Sequence, residues 1–110
     1  MEEIMKKKRY EWQPPTFGSK KDSEVECYTF AINARYGMPF SKDAKHFADA
    51  MATIDKKKYI GLYPCIPQGI FIICETLNDA KECRNLLKFA GIKCGDNIGT
   101  CYVEKAYLMR

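Results

Sequence analysis

From residue 25 to residue 107 two hydrophobic periods alternate in a fixed order, and that order constrains the fold more than any other feature of the chain. A period-two segment is followed by a helical segment, two more period-two segments joined by a tight turn, a second helical segment and a last period-two segment, which reads β-α-β-β-α-β. Two right-handed β-α-β halves close most simply as one four-stranded antiparallel sheet with both helices on one face. The predicted class is therefore α+β.

The individual segments carry this reading. In Val25 to Ala34, Tyr28, Phe30 and Ile32 alternate with Cys27, Thr29 and Ala31. The loop from Arg35 to Phe40 leads to Ser41, a good N-cap, and Asp43 places a negative charge in the first helical turn. Ala44, Phe47, Ala48 and Met51 then form a buried stripe, with His46 off it beside Lys42, Lys45 and Asp49. Tyr59 to Cys65 and Gly69 to Glu75 are the hairpin strands, and Ile66-Pro67-Gln68-Gly69 fits a type I turn. The second helix starts at Thr76 or Asn78, buries Ala80, Cys83, Leu86, Leu87 and Ala90, and stops at Gly91. Gly99 to Tyr107 is the last strand. The whole resembles the ferredoxin-like sandwich, a layout that serves enzymes, RNA binders, sensors and inhibitors alike.

Ahead of this domain, spanning 25–110, lies an arm, 1–24, with Pro14-Pro15, Gly18 and a polar stretch from Ser19 to Glu24. Disordered tails are poor in aromatics, so Tyr10, Trp12 and Phe17 predict that part of the arm docks. A chain of 110 residues with 46% hydrophobic content buries about two thirds of its unfolded surface and needs neither disulfide nor metal to fold. Its start has no apolar stretch behind the charged cluster and no later run spans a bilayer, which places the expectation in the cytoplasm with no membrane partner.

The six cysteines, Cys27, Cys65, Cys74, Cys83, Cys94 and Cys101, fall mostly inside the periodic segments and are expected as reduced core thiols. No Cys-x-x-Cys occurs, and the expectation is a fold without metal or cofactor. Net charge is +4, with basic clusters at Lys6 to Arg9, at Lys20 and Lys21, and at Lys56 to Lys58. Such a balance suits nucleic acid or an acidic protein surface.

Catalytic constellations are sparse. His46 is the sole histidine, and no Gly-rich phosphate cradle is present. Arg35, Gly37 and Ser41 precede the first helix, where free N–H groups and the helix dipole favour an anion. This corner resembles acylphosphatases, which carry an arginine loop after their first strand; the resemblance implies an anion-binding enzyme as the alternative function. Thr29-Phe30-Ala31-Ile32-Asn33 is similar to one signature strand of the RNA-recognition motif, whereas Gln68-Gly69-Ile70-Phe71-Ile72-Ile73 puts isoleucines where that family stacks bases.

Strand parity assigns Phe30, Ile32, Ile60, Leu62, Ile70, Ile72 and Val103 to the helix side. It leaves Thr29, Tyr59, Tyr63, Phe71, Ile73, Tyr102 and Glu104 on the other. Covering by the arm, a protein interface and base stacking compete for that aromatic face. The candidate binding residues are Tyr59, Tyr63, Phe71, Tyr102, Lys56, Lys57, Lys58 and Arg35. The functional expectation is a small non-catalytic protein that engages nucleic acid or a nucleic-acid-handling protein complex. Its class resembles accessory or anti-defence inhibitors of phages and mobile elements, some anti-CRISPR proteins among them. A homodimeric sensor or structural module is a further alternative.

Overall fold

The computed structural model describes residues 17–65 and 69–105. Its elements are β1 (Glu24–Ile32), α1 (Lys42–Ala52), β2 (Gly61–Cys65), β3 (Gly69–Cys74), α2 (Leu77–Phe89) and β4 (Gly99–Glu104), with short 3-10 turns at Ala34–Gly37 and Lys56–Lys58. The strands form one sheet in the order β2-β3-β1-β4, every neighbouring pair antiparallel. The turn expected at 66–69 lies largely outside the described residues, as do Tyr10, Trp12 and the rest of the arm before Phe17.

Local chemistry sets the helix ends. The Ser41 hydroxyl accepts the Ala44 N–H at 2.9 Å and Asp43 sits in the first turn of α1. Thr76, rather than Asn78, caps α2 by accepting the Asp79 N–H at 3.0 Å. Beyond α2 the chain turns through Gly91 at φ +91°, a conformation that residues with a Cβ rarely adopt.

Two apolar clusters sandwich the sheet. The larger joins Phe30, Ile32, Ile70, Ile72 and Cys74 to Phe47, Ala50 and Met51 of α1 and to Ala80, Cys83 and Leu87 of α2, so both helices cover one face. The smaller consists of Cys27, Ile60, Ile73, Cys101 and Val103, with Phe71 packed against it, and contains no helical residue. All five of its members are at most 2% exposed. The second face is thus a core in its own right, and Thr29, also buried there, keeps its hydroxyl without a partner among the described residues.

Register corrects the expected faces at five positions. Val103 lies opposite Val25 and Cys101 opposite Cys27, on the face away from the helices, because β4 pairs with β1 one residue out of the phase assumed from sequence. By the same shift Tyr102 and Glu104 stand opposite Glu26 and Glu24, with the parity of Tyr28 and Phe30. Ile60 and Tyr59 exchange sides for a different reason. The Ile60 N–H donates to the Ile73 carbonyl at 2.7 Å while Gly61 is the register partner of Ile73, so two residues of one strand face one of the other. Such a β-bulge flips the parity upstream of it. Ile60 consequently joins the smaller cluster and Tyr59 packs against the larger.

The helix stripes are narrower than the spacing implied. In α1 Ala50 is buried and Ala48 is exposed; in α2 Leu86 and Ala90 are exposed, because only one stripe of each helix meets the sheet.

Leu87 is fully buried between α2 and the sheet. Leu87→Ala is expected to lower stability by about 2–5 kcal/mol, read as a shift of the urea midpoint. Burial also pushes the Cys27 and Cys101 thiols from 9.0 up to about 12. A raised value in the folded state means that the folded thiols stay protonated while unfolded ones ionise. Their contribution is complete below about pH 9 and is lost as pH rises towards 12. The fall in stability over that window is expected to be shallower in Cys101→Val than in the parent; parallel curves would contradict the assignment.

Candidate binding surface

The corner before α1 is built around Tyr36, a buried residue whose ring packs 6.1 Å from that of Phe47. Its phenol oxygen accepts from the Arg35 guanidinium at 3.3 Å and from the Lys93 N–H at 3.2 Å. These two bonds, the Arg35 one foremost, lower the phenol below its ordinary pKa. Arg35 also lies 3.5 Å from the Asp43 carboxylate, with its guanidinium carbon 5.1 Å from the Tyr36 ring centroid. Its 3-10 turn is capped by Asn33, whose side chain accepts the Arg35 N–H at 2.8 Å.

The other polar candidates have structural partners too. Ser41 caps α1 and donates its hydroxyl to the Met38 carbonyl at 2.8 Å. His46 donates from Nε2 to the Ala90 carbonyl at 2.7 Å, fastening α1 to the end of α2. A Cβ at Gly91 would crowd that contact, standing 3.3 Å from the imidazole Cε1. Arg35, Ser41 and His46 are therefore near one another in sequence without forming a nucleophile and base. Among the described residues no group of three or more potential metal ligands comes together.

Of the residues singled out for binding, the structure brings Tyr63 and Phe71 together, opposite each other across β2 and β3. Phe17 lies against Phe71 with ring centroids 6.0 Å apart and planes tilted by 55°. Phe17 itself remains 56% exposed. Tyr59 and Tyr102 are elsewhere, for the reasons of register already given. The lysine turn is also displaced from the aromatic pair. Lys58 reaches α2, 3.3 Å from Glu82 and 3.8 Å from Asp79, and its pKa is raised chiefly by the bond to Glu82. Asp55 caps the turn through the Lys57 N–H at 2.9 Å, and the Lys56 and Lys57 side chains are exposed.

Sequence reasoning missed the most exposed aromatics. Phe40 is fully open to solvent and its backbone sits at φ +62°, a left-handed conformation that is strained for a bulky residue. Phe89, at the last position of α2, is 93% exposed. The bonds Tyr36 to Lys93 and His46 to Ala90 bring the start of α1 and the end of α2 to the same end of the molecule. Met38, also exposed, lies in the same loop as Phe40. Lys42, Lys88 and Lys93 accompany them, Lys88 being 3.3 Å from Asp96. Alongside, the outer stripe of α2 forms a shallow groove of about 540 Å³ lined by Asn78, Lys81, Glu82, Asn85, Leu86 and Phe89.

A signal for Phe40 did exist. It occupies the position before the N-cap, where an apolar residue ordinarily staples to the fourth helical position, and that position is Lys45. With no apolar partner there, the ring projects.

No helix among the described residues is long and apolar enough to cross a membrane. Comparison with protein-family models, with curated proteins and with solved structures finds no match.

Proposed function

We propose that this is a non-catalytic binding protein that engages nucleic acid or a protein complex that handles it, through the end of the molecule bearing Phe40 and Phe89. The observation that carries this reading is that Phe40 keeps a strained backbone and a fully exposed ring, so it contributes no burial to offset the strain. Exposed phenyl rings act as anchors in protein interfaces and as stacking platforms for unpaired bases. The neighbouring Lys42 and Lys93 supply the charge that either acidic partner would meet. Arg35, Ser41 and His46, by contrast, are engaged in holding the fold, which weighs against the anion-binding enzyme. We further read the architecture as a ferredoxin-like sandwich. Its support is the β-α-β-β-α-β order with strands arranged β2-β3-β1-β4 and both helices on one face.

The test combines Phe40→Gly with Phe89→Ser in the full chain. Glycine accepts φ +62° freely, so stability is expected to stay level or rise by about 1 kcal/mol. Binding to single-stranded oligonucleotides, or to the complex recovered by affinity purification from native cells, is expected to fall at least about tenfold. With nucleic acid as partner, affinity should also drop steeply with added salt, and Lys42→Ala should make that dependence shallower by about one unit of slope. Equal binding by parent and double variant would refute the assignment of the surface.

A further inference from the structure

The two edges of the sheet differ in how they are protected. At one edge, β2 carries Pro64, which has no N–H, and begins at the bulge of Ile60 and Gly61; both devices discourage another strand from pairing there. At the other edge, β4 runs from Gly99 to Glu104 with no proline, no lysine and no bulge.

The ladder on the inner side of β4 shows which groups remain. The Lys105 N–H donates to the Ser23 carbonyl at 2.9 Å, one step beyond the Glu24 and Glu104 pair. Hydrogen-bonded pairs recur every second residue in an antiparallel ladder, so Val103 with Val25 and Cys101 with Cys27 also exchange their bonds. The N–H and C=O groups of Thr100, Tyr102 and Glu104 then point away from β1. Among the described residues nothing hydrogen-bonds to them, and Thr100 is exposed.

This edge is complementary to itself. Laid antiparallel against a copy about a two-fold axis at Tyr102, it pairs Tyr102 with Tyr102, Thr100 with Glu104 and Cys101 with Val103. The outward groups fall into hydrogen-bonded positions, and an aromatic pair sits at the centre. No like charges oppose each other, because each Glu104 meets a threonine. On the opposite face Cys101 and Val103 are already buried within each copy, so the backbone ladder and the Tyr102 and Thr100–Glu104 pairs carry the join.

We infer that β4 is a self-recognition edge, through which two copies of this chain join into a dimer with one continuous eight-stranded sheet. The site is separate from the Phe40 and Phe89 end, so its test is independent of the binding function proposed above.

Sedimentation equilibrium of the full chain is expected to show a monomer–dimer equilibrium. Thr100→Glu sets like charges opposite each other at two symmetric positions and should weaken the dimer by about tenfold; Thr100→Lys sets lysine opposite glutamate and should tighten it. Circular dichroism should be unchanged in both, because Thr100 is exposed. Hydrogen exchange at the Thr100, Tyr102 and Glu104 amides should slow as the concentration of the parent is raised. A parent that remains monomeric, a dimer indifferent to both substitutions, or exchange at these amides independent of concentration would each overturn the proposal.

Discussion

Strand β1 alternates its hydrogen bonds between two neighbours, β3 on one side and β4 on the other, while its side chains enter two different apolar clusters. Phe30 and Ile32 meet the helices, and Cys27 meets Cys101 and Val103 on the far side. The backbone ladder satisfies the peptide groups that this double burial removes from water. Without that pairing both cores would lose their shared wall, and α1 and α2 would have no common surface to cover. The helices in turn set the geometry of the Phe40 and Phe89 end, since His46 and Tyr36 reach across to the chain that follows α2.

Much of this was legible in the sequence because it rests on local chemistry. Ser41, Thr76 and Gly91 mark helix ends through capping and a left-handed turn, and the order of periods gives the sequence of elements. The faces were harder to read. Parity along one strand is reliable only while the ladder is regular, and the bulge at Ile60 and Gly61 breaks it. For β4 the phase relative to β1 is a pairing between distant segments, which alternation in Gly99 to Glu104 alone does not determine. One clue to the second core was present: Gly69-Ile70-Phe71-Ile72-Ile73-Cys74 is a continuous apolar run, the pattern of a strand covered on both faces rather than one.

The candidate site shows the same division. The expected binding residues rest on residue type and face, so Tyr59 and Tyr102 part from Tyr63 and Phe71 once the faces are set, and Lys58 anchors the lysine turn on α2. Arg35 stands in the sequence as a cation just before a helix, but its pairing with Asp43 and Tyr36 depends on a backbone turn that the sequence does not announce. Phe40 and Phe89 read as ordinary apolar residues until their surroundings are known.

The claim at the centre of this account is that β1 is held from both edges and both faces at once. Native-state hydrogen exchange at the Cys27 to Phe30 amides tests it most directly. The account predicts exchange only through global unfolding, with an opening free energy equal to that from denaturant melts. Exchange of these amides through a local opening of markedly lower free energy would contradict it.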